Sequence, residues 1–526
     1  MTPGSDPGDE GSSRPLNILQ VVKNTGSLRT IWPVVRALDA RGHRVRIACK
    51  EVKSSESHAA LQQLADESSG VTLTKLPYVF DPGWSDLAMS LRRGIDYLRY
   101  FEPRYREATK LRARAERAAP PTLRRLARLA GLGGARGAAA LSRMLRAIDR
   151  CLLPSPRVEA FLAEQRPDVV LVHPLIGFGS SQADIVRAAN RLGIRSGYPV
   201  GSWDNLTNKG LLRDAPDLVL VWNDLQKAEA VELHRVPAER VRVTGAPPYD
   251  HWFGWKPLRQ RAEFCREVGL DPERPIVFYA GSSEFVAPDE PKFVRKWVEA
   301  IRAHGGVLGG AGILVRPHPV GAKQWRGFDA GDAQVVVWPR LGEEPVDDAG
   351  RQNYFDSVFH SAAVVGINTS ALIEAAIVGR PVHTILAEEF RDTQNGTLHF
   401  HYLVDEEFGH VHVGRTFEEH AEQLERSLAD GDRDGLNDRF LRRFVRPFGL
   451  DVPATPLYVE AIEELAARPA PIPRRMPAPA PVVRLALSPL ARSIRRTRRR
   501  LKQQRRESAS AAAAAGGARR GAGTPA

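Results

Sequence analysis

The 526-residue sequence predicts an α/β protein of two open parallel sheets, and three observations lead there. Apolar runs suited to buried strands alternate with helical spacings along most of the chain. The length exceeds what one core can serve, so two domains with extensions follow. Finally, Val364 to Val382 reads as strand, loop, helix, strand: an apolar run ends in Gly366-Ile367-Asn368, Thr369 and Ser370 open an Ala/Leu/Ile-rich helix, Gly379 and Pro381 close it, and Val382, Thr384, Ile385 and Leu386 follow.

Residues 1–15 are polar and rich in Gly, Ser and Pro, with no apolar stretch, and read as a disordered N-terminus. A first domain spans 16–256. Leu16–Val22 is a buried parallel strand, Asn24–Ser27 a turn, 28–41 a helix on Ile31, Val34, Val35 and Leu38, and Arg44–Ala48 the next strand. After an interruption the alternation resumes with a helix from Val158, strands at Asp168–Val172 and Arg195–Tyr198 around a helix at 183–192, and a strand at Leu218–Trp222. A helix at 225–234 and a strand at Arg240–Thr244 close the domain. The loop Ser202-Trp203-Asp204-Asn205 follows the second strand of this set, and Asp204 is a candidate general base towards a hydroxyl. Its plainer reading is an Asx turn capping the next helix.

The interruption, about 92–150, holds 16 Lys/Arg against five Asp/Glu. Leucines at helical spacing lie on either side of the breaker Gly131-Leu132-Gly133-Gly134, so two basic amphipathic helices are expected. They read either as membrane-surface elements or as an insertion packed on its own domain with solvated arginines.

A second domain spans 257–467: a helix at 258–268, a strand at Ile276–Ala280, a helix near 291–303, strands at 313–315 and 335–338, a helix at 353–360, and then the stretch from Val364. Helices at 417–428, 436–445 and 458–466 complete it, and Gln394–Leu403 is dense in His and aromatic residues. Three loops follow its strands: Gly281-Ser282-Ser283, Arg316-Pro317-His318-Pro319 and Asn368-Thr369-Ser370. Carboxyl ends of neighbouring parallel strands share one crevice. Arg316 offers a fixed fork for phosphate, His318 a single N–H donor, and the small Gly-Ser-Ser loop close backbone approach. Glu374, one helical turn beyond Ser370, can accept from ribose hydroxyls; the structural alternative is an ion pair with an arginine such as Arg380.

From Arg468 the chain turns Pro/Ala-rich, then Arg-rich, then Ala/Gly-rich, and 468–526 reads as a disordered basic tail. It carries 15 Lys/Arg against Glu507 alone, a net +14 beside +13 for the whole chain, so residues 1–467 are at about −1. Cys49, Cys151 and Cys265 are far apart and lack CxxC spacing, against a disulfide framework or structural zinc site and for a reducing, cytoplasmic setting.

The motifs resemble those of known enzymes. Glu374 followed by Gly379-Arg380-Pro381-Val382 is similar to the ribose element of GT-B glycosyltransferases, and the Arg41-Gly42-His43 turn resembles the close of their first helix. Arg316-Pro317-His318-Pro319 with Thr369-Ser370 resembles the His-Pro and Ser/Thr elements of CDP-glycerol glycerophosphotransferases and bacterial polysialyltransferases; UDP-GlcNAc 2-epimerases share the frame. The loop at Asp204 stands where glycerophosphotransferases carry Trp-His-Gly, with Asp in place of His, and the first loop lacks the histidine common in inverting relatives. The resemblance implies a GT-B-type fold, two Rossmann-like domains facing a central cleft. It implies transfer of a sugar or glycerol-phosphate-like unit from a nucleotide-activated donor to a glycan or lipid-linked acceptor in cell-envelope polysaccharide synthesis. No metal or other cofactor is expected. Donor contacts would be Gly281, Ser282, Ser283, Arg316, His318, Thr369, Ser370 and Glu374, with Asp204 and His318 catalytic. The basic tail and insertion imply an anionic membrane surface on the cytoplasmic face, with no nucleic acid expected. The alternatives are a nucleotide-sugar 2-epimerase and a non-catalytic nucleic-acid-binding scaffold.

Overall fold

The computed structural model describes residues 14–24, 30–51, 62–63, 65–77, 83–131, 134–340, 342, 348–431 and 435–521. The turn after Asn24, most of the N-terminus and the centre of the glycine breaker therefore lie outside the described residues. Arg14 is described, paired with Asp168.

Two parallel sheets organise the chain. The first has seven strands, β1 (Asn17–Asn24), β2 (Arg44–Glu51), β3 (Val71–Lys75), β4 (Val169–His173), β5 (Arg195–Pro199), β6 (Leu218–Val221) and β7 (Val241–Val243), in the order β3-β2-β1-β4-β5-β6-β7. The second has six, β8 (Ile276–Ala280), β9 (Gly312–Arg316), β10 (Val335–Val337), β11 (Ala363–Gly366), β12 (Val382–Ile385) and β13 (Val411–Gly414), ordered β10-β9-β8-β11-β12-β13. Central strands β4, β6, β8, β9, β11 and β12 are buried along their whole length, as continuous apolar runs covered on both faces require. In each sheet the order reverses once, between β1 and β4 and between β8 and β11. An open α/β sheet places its ligand crevice at the carboxyl ends of the strands at such a reversal.

The helix Ala454–Ala467, assigned from sequence to the second domain, buries Tyr458, Val459, Ile462 and Leu465 against β1, β2 and β4 of the first. The chain thus crosses back before its end, and the second domain closes earlier than residue 467. The two halves also share a core in which Trp203 and Trp222 join Trp252, Phe264, Phe400 and Phe444.

The insertion starts earlier than expected, with the helix Ser85–Leu98, and continues through Thr109–Ala118, Pro121–Gly131 and Gly134–Arg150. Its apolar stripe packs on itself, burying Leu111, Ala115, Ala127, Ala138 and Leu145. Several of its charges are internal: Arg92 is buried between Asp149 and Asp184, Arg187 reaches Asp149 and Asp214, and Arg213 meets buried Asp96. Leu126, Leu129 and Met144 stay exposed.

The C-terminal segment differs from the disordered tail expected. Arg468 and Arg474 are bonded to the first domain at Arg195 and Asn190, and Ala480–Gly521 is a helix. Leu487, Ala491 and Ile494, spaced four and three apart, pack into the insertion's core, and Arg498 pairs with Asp86. The arginines between them concealed this stripe in the sequence. Among the described residues no helix is long and apolar enough to cross a membrane.

Candidate active site at the interdomain cleft

At the β8/β11 reversal the three loops expected from sequence are neighbours, because β9, β8 and β11 are adjacent strands. Gly281 brings two of them together. A Cβ there would lie 2.9 Å from Arg316 O and 3.0 Å from His318 N, so its bareness lets the 316–318 segment seat against the β8 loop. Its amide donates to Arg316 O, and the Ser282 amide donates to Glu290 Oε1 at 2.9 Å. Those two amides serve the loop itself, contrary to a role in cradling phosphate. Ser282 Oγ is buried without a partner among the described residues, and Ser283 is half-buried. Glu290 was not foreseen; burial raises its carboxyl to about 8, so it backs the loop in its neutral form at neutral pH.

Arg316 is buried, its guanidinium 5.6 Å from the Trp338 ring and 5.2 Å from the Tyr354 ring. Two aromatic faces thus fix the plane of the fork. His318 Nδ1 accepts from Val320 N at 3.1 Å, which in the neutral ring puts the proton on Nε2. Ser370 makes no side-chain cap on the helix Ala371–Ile377, and Thr369 Oγ1 is only 3.4 Å from Ala371 N. Neither hydroxyl is strongly committed to capping. Glu374 Oε2 accepts from Tyr354 OH. The Arg380 guanidinium lies over the Phe359 ring at 5.3 Å.

Across the cleft, Asp204 is the hub of its own loop. Its carboxylate accepts from Ser202 Oγ, from Asn205 Nδ2 at 3.2 Å and from Asn208 Nδ2 at 2.6 Å, with Lys209 Nζ at 3.7 Å. It does not cap the following helical turn. Burial opposes its charge, but Lys209, His399 and the bonds from Ser202 and Asn208 outweigh that and hold the carboxyl well below the ordinary range. Insertion side chains hold the same loop from behind. Arg99 donates to Leu206 O at 2.7 Å and Lys209 O at 3.0 Å, and Arg114 donates to Asn208 O. The Arg114 guanidinium also lies between Phe178 of the β4 loop, at 5.2 Å, and Phe285 of the β8 loop, at 4.5 Å.

Residues the sequence did not single out join the halves. His399 packs edge-on against Trp203 at 4.8 Å and its Nδ1 lies 3.0 Å from Thr207 Oγ1. Tyr402 OH donates to Glu229 Oε1 at 2.7 Å, and burial raises Glu229 to about 8. The density of His and aromatic residues at 394–403 was the one signal for both contacts. At the β1/β4 reversal His173 Nδ1 donates to Pro199 O at 3.0 Å while Nε2 lies 3.1 Å from Thr30 Oγ1. Burial holds this ring at about 4. Among the described residues no group of three or more His, Cys, Asp or Glu is placed to hold a metal ion.

No protein-family model matches the chain, and no curated protein matches it by sequence. Solved structures do. The MnaA–UDP co-structure from S. aureus aligns with a TM-score of 0.50 at 11% identity, covering 85% of this chain and 96% of that one. UDP-GlcNAc 2-epimerase from Methanocaldococcus jannaschii aligns at 0.48 and 12% identity, over 85% and 99% of the two chains. A glycosyltransferase from Rickettsia africae aligns at 0.48 and 10%, over 87% and 100%. At such identity the likeness speaks for the fold, and with the two sheets and their shared cleft it establishes a GT-B-type architecture.

Proposed function

We propose that this chain is a nucleotide-sugar-dependent transferase of the GT-B type. It would move a sugar, or a glycerol-phosphate-like unit, from a nucleotide donor to a hydroxyl of a glycan or lipid-linked acceptor in cell-envelope polysaccharide synthesis. One observation carries the reading: Arg316, His318, Thr369 and Ser370 lie at adjacent strand ends at the order reversal of the second sheet, with Glu374 one helical turn beyond Ser370, and His399 of the same half meets the Asp204 loop of the first at Thr207.

In this reading the diphosphate meets the Arg316 fork, the His318 Nε2–H and the hydroxyls of Thr369 and Ser370, and the ribose meets Glu374. Fixed donors aimed at a leaving diphosphate lower its charge cost in the transition state without reorganising. Ser282 and Ser283 line the β8 side, and Gly281 seats the two loops. No metal is invoked in this scheme. The S. aureus MnaA structure was solved with UDP, which supports a uridine donor. The exposed arginines of the C-terminal helix, with Leu126, Leu129 and Leu485 also exposed, suit an anionic membrane at which a lipid-linked acceptor would be met.

The test is a thermal-shift and calorimetric screen of UDP, CDP, GDP and their sugar or glycerol conjugates. A ligand that binds only the native state raises its apparent stability by RT ln(1 + [L]/Kd). Binding of one nucleotide series, abolished by Arg316→Ala, is expected. Absence of binding across the series would sink the transferase reading.

A further inference from the structure

We infer that His399, reaching from the second domain into the Asp204 loop of the first, is the group that takes the proton from the acceptor hydroxyl; the inference rests on the transferase reading above. The sequence pointed to Asp204 for this role. In the structure that carboxylate already accepts from Ser202, Asn205 and Asn208 and faces Lys209, which together make it a weak base. His173 is the other buried histidine at the cleft edge, and both of its ring nitrogens have partners, Pro199 O and Thr30 Oγ1.

His399 is placed differently. It is 5% exposed and wedged against Trp203. The Thr207 hydroxyl has one hydrogen to give, and it lies 3.2 Å from Asp204 O, one turn back in its own helical segment, as well as 3.0 Å from His399 Nδ1. With the hydroxyl hydrogen directed to that carbonyl, Thr207 Oγ1 must accept from His399, which puts the ring proton on Nδ1 and leaves Nε2 with its lone pair. No described residue bonds Nε2. Burial is the largest influence on the ring and holds it at about 4; of the charged or titratable groups facing it, the Asp204 charge favours imidazolium, while Lys209, His401 and Arg114 oppose it.

The step balances without a further reagent. The acceptor O–H bond breaks and its proton goes to Nε2. The acceptor oxygen bonds to the donor carbon or phosphorus, the bond to the leaving phosphate oxygen breaks, and its electron pair departs with the nucleotide. The imidazolium then returns its proton to solvent.

His399→Asn is the informative substitution, because Asn Nδ2 can take the place of Nδ1 towards Thr207 while nothing replaces Nε2. A purely structural histidine would be rescued by Asn, whereas a base would not. Two readouts apply to the full-length protein. Long-range proton–nitrogen correlation spectra with labelled histidine, the His399 signal assigned by its loss in His399→Asn, should show the proton on Nδ1; a proton on Nε2 overturns the assignment. With the nucleotide donor found by the screen, His399→Asn should keep affinity for that nucleotide within about twofold yet lose roughly 10²- to 10⁴-fold in turnover, the range for general-base catalysis. A wild type that transfers and a His399→Asn variant that transfers within tenfold of it would overturn the role of His399 and leave the transferase reading standing. A wild type that binds no nucleotide would overturn the transferase reading and, with it, the role.

Discussion

Replacing Glu374 by Gln should weaken nucleotide binding while leaving the fold intact, and the structure sets the size of the effect. Glu374 Oε2 accepts from Tyr354 OH, and the same tyrosine ring carries the Arg316 guanidinium at 5.2 Å. Gln is nearly isosteric and keeps an oxygen for the tyrosine, so the wall of the site survives. What it loses is the charge with which a carboxylate holds a ribose hydroxyl. A hydrogen bond to a charged group is worth about 1.5–3 kcal/mol net, which is roughly 10- to 150-fold in Kd. Calorimetric titration with UDP, CDP and GDP, run beside urea melts, reads both quantities. Tyr354→Phe serves as the control. It removes the donor from a partly buried carboxylate, so it should cost about 1–3 kcal/mol of stability and change affinity less than Glu374→Gln does. If Glu374→Gln leaves affinity unchanged and lowers the urea midpoint, Glu374 exists to hold Tyr354, and the ribose assignment is refuted.

Three further outcomes are expected. Asp149→Ala leaves Arg92 and Arg187 buried with one carboxylate fewer each, which should cost about 3–5 kcal/mol in urea melts; a loss below 1 kcal/mol would show the network to be dispensable. Burial holds His410 and His420 at about 3, below the unfolded value of about 6.5, so the unfolded chain binds more protons as pH falls from 6.5 towards 3. Stability should drop over that window by about 1.4 kcal/mol per pH unit for each such histidine, and a flat stability curve there would contradict their burial as neutral rings. Changing the exposed Arg492, Arg496, Arg499 and Arg500 to Gln should lower co-sedimentation with anionic vesicles at low salt, since each contributes about 1 kcal/mol near such a surface; undiminished binding would remove the helix from that role.

Much of the architecture could be read from local pattern. β8 and the helix Ala183–Leu192 fall where the sequence put them, because a strand buried on both faces and a capped amphipathic helix each carry their signal within a few residues. β3 and β13 escaped notice. Both are edge strands, only partly buried, and Thr72, Thr74 and His412 dilute their apolar runs. That the loops after β8, β9 and β11 are neighbours was legible because strand adjacency converts sequence order into proximity. Tyr354 and His399 were not, since each gains its meaning from a partner far off in the chain: Thr207 precedes His399 by 192 positions, and Tyr354 lies 20 before Glu374 on a different element. Nothing periodic encodes such a pairing.

The insertion shows why a count of charges misjudges a surface. Its arginines, read along the sequence, suggest a solvated or membrane-facing module. In the fold, Arg99 and Arg114 spend their N–H groups on the carbonyls of Leu206, Asn208 and Lys209, the backbone that carries Asp204 and Thr207. A guanidinium is suited to this work, since its several donors can meet divergent carbonyls at once and its face can stack on the phenylalanines of two loops. Asp96, buried beneath, accepts from Gly179 N and Leu211 N and pairs with Arg213, so the β4 and β5 loops are tied to the same helices. The insertion is therefore the scaffold of the Asp204 loop: the geometry by which Thr207 presents itself to His399 depends on helices that an ordinary open sheet does not possess.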